Sequence, residues 1–191
     1  ITTAANDCAT VLSLGSGNWI CTKYQPASGS QIVGIATIAS GSLSGASVTV
    51  TNIPQNYSKL IVQINAATHN GGSESVMLQV STDNGSSYDS TAADYVAFNV
   101  TGSTLAASTQ ASLIEATVMN GATTLTATVE ISGYQVGPNA TYFARSKASP
   151  GSDFLNHGCY VGATLGINAL KLLNSGGASF DGGTYYVYGV N

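Results

Sequence analysis

Ser75-Val-Met-Leu-Gln-Val-Ser-Thr-Asp-Asn-Gly-Ser-Ser-Tyr-Asp-Ser-Thr-Ala-Ala-Asp-Tyr-Val-Ala-Phe-Asn-Val100 decides the reading of this 191-residue chain. Side chains of a strand point alternately to opposite faces, so Val76, Leu78 and Val80 share one face and Val96, Phe98 and Val100 share another. Between the two runs lies Asp83-Asn84-Gly85, residue types that tolerate the positive φ of tight turns. The stretch predicts a central β-hairpin whose turn sets the register and whose strands supply core.

The same pattern extends in both directions. Ile32 to Ala39 is apolar on both faces, Val48 and Val50 precede Pro54, and Leu60, Val62 and Ile64 alternate cleanly. His69-Asn70-Gly71-Gly72-Ser73 reads as a loop. Leu113–Met119 and Leu125–Ile131 read as strands joined by Asn120-Gly121. In the second, Thr124, Thr126, Thr128 and Glu130 face solvent. Gly133 to His157 is the least regular segment and reads as a long excursion around a short strand at Thr141–Arg145. Ile167–Leu173 and Thr184–Val190 close the chain. At the other end, residues 1–25 form a hairpin around Gly15-Ser16-Gly17, and the linker composition of Gln25-Pro-Ala-Ser-Gly-Ser30 separates it from a domain over 30–191. No segment has a convincing helical period. The expected fold is all-β: an antiparallel, jelly-roll-like β-sandwich preceded by a short N-terminal β-hairpin.

Composition narrows the function. Only 7% of residues are charged, while 43% are hydrophobic, and the net charge is −4. The polarity comes from uncharged side chains, which suits sugar contacts or protein packing. Five basic residues, Lys23, Lys59, Arg145, Lys147 and Lys171, are scattered and make no stripe for phosphates, so a nucleic-acid partner is not expected. No run has the length of a membrane span. The chain begins with Ile1, so either an upstream segment was removed or this is the end of a longer polypeptide.

Sites of chemistry are sparse. A Ser16-centred turn places Cys21 opposite Val11 and Cys8 opposite Tyr24, out of register for a disulfide; Cys8, Cys21 and Cys159 are better read as thiols buried as small hydrophobes. His69 and His157 lack companions at metal-ligand spacing. Gly41-Ser-Leu-Ser-Gly45 puts Leu43 where a nucleophile would sit. Asp83, Asp89 and Asp94 cluster, but their spacing does not follow a calcium loop, and turn hydrogen bonding accounts for them more simply. Glu74, Glu115 and Glu130 show no acid–base pairing. No catalytic residue, metal or cofactor is expected. Trp19 could stack on a sugar ring, although anchoring its hairpin by burial is the preferred role.

Three segments carry a resemblance. Ser81-Thr-Asp-Asn-Gly-Ser-Ser-Tyr88 resembles the STDGGxxY hairpin of C-terminal domains in bacteriophage tail-fibre and related virion proteins. Leu14-Gly-Ser-Gly-Asn-Trp-Ile-Cys-Thr-Lys-Tyr24 resembles the SLGSGNWxCxxY segment that precedes such domains. Ile167, Asn168, Leu170, Phe180, Gly183, Thr184, Tyr188 and Gly189 occupy positions of their INxLxxxxxxGxFxxGTxxLYG terminus. The resemblance implies a non-enzymatic virion protein on the particle surface, a homotrimer contacting other virion proteins, and recognition of a host glycan or protein. A capsid decoration or head-fibre protein, or a free carbohydrate-binding module, is the alternative. The apolar terminal strand is buried on both faces or meets another subunit, which makes Tyr186, Tyr188 and Val190 the expected interface. Ligand-binding residues are expected in loops, at His69 and Asn70 and, in the excursion, at Asn139, Tyr142 and Phe143.

Overall fold

Gly15-Ser16-Gly17 closes a hairpin in the computed structural model, which describes residues 8–25, 34–101, 104–119, 123–136, 140–149, 153–162 and 165–191. Strands β1 (Cys8–Gly15) and β2 (Asn18–Gln25) pair antiparallel. Gly15 faces Asn18, and the two loop residues, Ser16 and Gly17, both have positive φ (53° and 79°), the twist that suits a two-residue connection. Val11 faces Cys21 as the turn predicts, but a bulge after Thr10 moves Cys8 opposite Gln25 and not Tyr24. Two expectations fail here. Cys21 is exposed, not buried, and Trp19 is 64% exposed, because a two-stranded ribbon by itself has no second layer in which to bury a side chain. The hairpin belongs to a compact unit, Ile1–Gly34, separate from a second unit, Ile35–Asn191. Most of the expected linker lies outside the described residues.

The second unit is a β-sandwich. Its strands are β3 (Ile35–Ser42), β4 (Ser47–Val50), β5 (Lys59–His69), β6 (Glu74–Ser81), β7 (Tyr95–Thr101), β8 (Thr104–Gln110), β9 (Glu115–Met119), β10 (Thr124–Ser132), β11 (Ala140–Ser149), β12 (Asp153–Tyr160), β13 (Ala169–Asn174) and β14 (Phe180–Val190). The large sheet has the order β3-β14-β5-β10-β11-β12-β7-β8 and the small one β4-β13-β6-β9. All pairings are antiparallel. Without β7, β8, β11 and β12, two four-stranded sheets remain, β3-β14-β5-β10 and β4-β13-β6-β9, and the chain passes between them in the manner of a jelly roll. The four additional strands extend the large sheet beyond β10 as a wing.

This topology corrects the opening stretch. β6 and β7 do not form a hairpin: β6 lies between β13 and β9 in the small sheet, and β7 between β12 and β8 in the large one. Asp83-Asn84-Gly85 does turn the chain, with Asn84 at φ 59° and Gly85 at φ 88°. The rest of the connection then crosses between sheets through a single 3-10 turn at Ala92–Asp94. Every residue of β6 from Val76 to Ser81 is buried, as an interior strand covered on both faces must be. β7 turns Tyr95 and Ala97 inward and leaves Val96 and Phe98 exposed, so Val96 and Phe98 do not supply core. β9 and β10 likewise lie in different sheets.

The supposed excursion is regular. β11 and β12 pair from Ala140↔Tyr160 to Lys147↔Asp153. The inward side of β11 is Ala140, Tyr142, Ala144, Ser146 and Ala148, mostly small residues whose alternation gives a weak hydrophobic signal. Elsewhere the pattern holds: Leu60, Val62 and Ile64 on β5 and Leu125, Val129 and Ile131 on β10 are fully buried, in one core with Leu78, Tyr95, Leu113, Ile114 and Tyr134. Each such aliphatic side chain contributes about 1.5–3 kcal/mol by leaving water.

The wing depends on close backbone approach at Gly158, where a Cβ would fall 1.9 Å from the Val96 carbonyl oxygen across the strand pair. Gly158→Ala should lower the unfolding free energy by about 3 kcal/mol, the upper end of overpacking costs, as read from urea denaturation.

Candidate functional site

The turn after β6 is held by its own side chains. Asp83 Oδ1 accepts hydrogen bonds from the Ser81 hydroxyl (2.7 Å) and the Ser87 N–H (2.9 Å), and Oδ2 accepts one from the Ser87 hydroxyl (2.6 Å). Ser81 Oγ in turn accepts from the Gly85 N–H at 2.9 Å. These bonds, the Ser87 hydroxyl first and then Ser81 and the Ser87 backbone, lower the Asp83 carboxyl to about 2, since each is made to the ionised form. The turn is also a brace. Asn84 Oδ1 accepts from the Asn52 N–H (2.6 Å), Asn84 Nδ2 donates to Asn52 Oδ1 (3.0 Å), and the Asn84 N–H donates to Asn168 Oδ1 (2.7 Å). Asn52 shares the positive φ of Asn84. The motif thus ties the loop after β4 to the segment before β13.

Behind the turn is a cleft of about 310 Å³, lined by hydroxyls and two carboxylates, Asp89 and Asp94. Asp89 Oδ1 accepts from the Thr91 N–H (2.8 Å) and Oδ2 from the Tyr160 hydroxyl (2.8 Å). Burial alone would raise the Asp89 carboxyl, but bonds from the Thr91 backbone, the Tyr160 and Thr91 hydroxyls and Asp94 outweigh it and hold it below the ordinary value. Asp94 moves the other way, raised by burial, by the Asp89 charge and by donating its proton to Asp89. When the pair holds one proton, Asp94 carries it. Gly162 makes room for them: a Cβ there would lie 2.4 Å from Asp89 Oδ2 and 2.6 Å from Asp94 Oδ2. Burial also raises the Tyr95 and Tyr160 hydroxyls. Tyr95 accepts from the Val80 N–H and donates to the Asp89 carbonyl, and its ring lies 5.0 Å from that of Tyr160. Through Tyr160 the carboxyl pair ties the crossover to the wing. Among the described residues no group of three or more His, Cys, Asp or Glu side chains is placed to hold a metal ion.

The expected binding residues do not converge. His69 ends β5 with 1% exposure and is not a loop residue open to ligand; its Nδ1 accepts from the Gly71 N–H (3.1 Å). An irregularity at Ala66, which has φ 50°, shifts the inward phase of β5 from Ile64 to Ala67 and His69, so the period of Leu60, Val62 and Ile64 would not have placed it inside. Asn70 is exposed but braces a turn, pairing through its N–H and Oδ1 with Ser179. Tyr142 is buried inside the wing, so it is not a contact residue. Asn139 lies outside the described residues. Phe143 is 48% exposed, but on the face of β11 and not in a loop.

That face is the surface the motifs did not reveal. Tyr188, Ile61, Glu130, Phe143, His157 and Phe98 are successive register partners across the outer side of the large sheet. At about 4.8 Å per strand the row is about 24 Å long. Phe98, 41% exposed, stacks on His157 at 5.3 Å, and Tyr186 stacks on Tyr188 at 6.0 Å. Tyr186, Tyr188 and Val190 are half-buried on β14, which is interior to the sheet. Lys59 and Glu130 pair at 2.7 Å and Lys147 and Asp153 at 3.3 Å, so most of the charges on this face are paired, with Arg145 exposed beside Phe143. The only signal for the row was the period of two in Tyr95-Val96-Ala97-Phe98, where both phases are apolar.

Fold and surface together define a jelly-roll sandwich with a winged large sheet and an aromatic outer face. No protein-family model and no curated protein sequence matches the chain.

Two carboxyls give opposite pH signatures. Asp83, lowered from 3.8 to about 2, adds stability that is complete above the unfolded value and lost as pH falls through 2. Asp83→Asn should therefore melt below the wild type at pH 7, with the gap closing between pH 4 and 2. Asp94, raised in the fold, adds stability below 3.8 that is lost as pH rises through its folded value. Asp94→Asn should melt above the wild type at pH 7 and lose that advantage at pH 3, by thermal unfolding followed in circular dichroism.

Proposed function

We propose that this chain is a non-enzymatic structural domain of a virion appendage, the C-terminal part of a phage tail fibre or spike, which trimerises and contributes to recognition of the host surface. The observation that carries the reading is the outer face of the large sheet. A row running from Tyr188 to Phe98 with little net charge is a surface that gains by being covered, since association interfaces are depleted in charge and enriched in aromatic residues. Tyr186, Tyr188 and Val190 lie on it, and the complementary occupant is the same face of further copies of the chain. The sparse charge of the whole chain and the shared order of the three resembling segments support the same reading.

Light scattering on the purified chain at micromolar concentration should give three chains per particle. Phe143→Asp, an exposed substitution that opens no core cavity, should shift the particle toward one chain while leaving the β spectrum intact. A wild-type monomer would overturn the reading.

A further inference from the structure

At the edge of the sandwich opposite the wing, β3 and β4 are the terminal strands of their sheets, and the gap between them is a groove of about 510 Å³. That is within the range of small-molecule sites. None of its lining residues is charged: Tyr57 and Tyr185 supply rings, Thr51 a hydroxyl and Asn52 an amide, while the Thr49 side chain is bonded to Tyr88.

The rings are held in place. Tyr185 faces Gly41 in register, where a Cβ would lie 3.1 Å from its Cε1, and Tyr57 lies so close on Gly189 that a Cβ there would meet Cδ2 at 2.2 Å. The Tyr57 backbone is fixed as well, its carbonyl accepting from Gln135 Nε2 while the Pro54 carbonyl accepts from the Tyr134 hydroxyl. Asn52 is fixed by its reciprocal bonds with Asn84, and its Nδ2 donates one hydrogen to Thr51 Oγ1 at 3.3 Å.

We propose that this groove binds a neutral oligosaccharide, with the faces of Tyr57 and Tyr185 against the apolar faces of sugar rings and Thr51 and Asn52 bonding their hydroxyls. The inference rests on the host-recognition reading and gives it a site and a ligand class. An uncharged lining offers no compensation for desolvating a charged ligand. Clamped aromatic rings and a braced amide bind without the cost of ordering flexible side chains. The Asp83-Asn84-Gly85 turn then acts as the support that positions Asn52.

The test is a ¹H–¹⁵N titration of the intact chain with neutral trisaccharides containing glucose, galactose or N-acetylglucosamine, beside a sialylated trisaccharide and an unrelated extended peptide. Millimolar concentrations of at least one neutral sugar should shift residues 37–39 and 49–52 and the Asn52 side-chain amide, and leave the Asp89 cleft unmoved. Tyr185→Ala should weaken binding about tenfold or more. Because Tyr185 also packs on the core, Thr51→Lys, at an exposed position of the groove, should block it with the β spectrum unchanged. The proposal is overturned if no neutral sugar shifts the groove, if binding survives both substitutions, or if only the sialylated sugar or the peptide binds. Adsorption of the chain to host cells, measured separately, distinguishes the two levels: adsorption unaffected by Thr51→Lys overturns the groove and leaves the appendage reading standing.

Discussion

The structure depends on β5 and β6, neighbours in sequence, lying in opposite sheets. Leu60, Val62 and Ile64 on one and Val76, Leu78 and Val80 on the other are all fully buried in the same core. Placing them so requires the chain to leave one sheet for the other within residues 70–73, too short a span to be held by packing of its own. Side chains hold it instead: Asn70 pairs with Ser179, and Glu74 Oε2 accepts from the N–H groups of Gly176 and Ala178 at 3.0 Å each. The bonds run to the loop between β13 and β14, which makes the same sheet-to-sheet step, so two crossings brace each other.

The turn at Asp83-Asn84-Gly85 repeats this device at the other end of β6. A jelly roll has few tight hairpins between its paired strands, so its long connections must be stabilised where they leave the sheets. Here asparagines do so. Asn52, Asn84 and Asn168 are joined by hydrogen bonds across three segments far apart in the chain. Asparagine is suited to this because it tolerates positive φ while offering both a donor and an acceptor. The Asp89 and Asp94 pair extends the network toward the wing through Tyr160. The asparagine links themselves carry no charge, in keeping with a chain that is only 7% charged.

The wing explains why the molecule has an open aromatic face. Eight strands in the large sheet against four in the small one leave one side of the large sheet to the core and the other to the surroundings. In β7 both phases are apolar, and only pairing with β12 and β8 decides that Tyr95 turns inward beside Tyr160 while Phe98 turns outward onto His157. The groove at the opposite edge has a similar origin. Its tyrosines, Tyr57 and Tyr185, are separated by most of the chain, and they become neighbours because β14 lies between β3 and β5.

By itself, the sequence determined the fold class, the alternating cores of β5 and β10, the Gly-Ser-Gly hairpin and the absence of helical periodicity, because period and turn chemistry are local properties. It also located the Asp-Asn-Gly turn. Which strands that turn connects was decided only by tertiary structure: a turn reverses the chain, but it does not say whether the next strand rejoins the same sheet or crosses to the other. The identity of paired strands, the burial of His69 and Tyr142, the exposure of Phe143 and the meeting of Tyr57 with Tyr185 all depend on residues remote in the chain. Those contacts are set by how two sheets cover one another, and no local period encodes that.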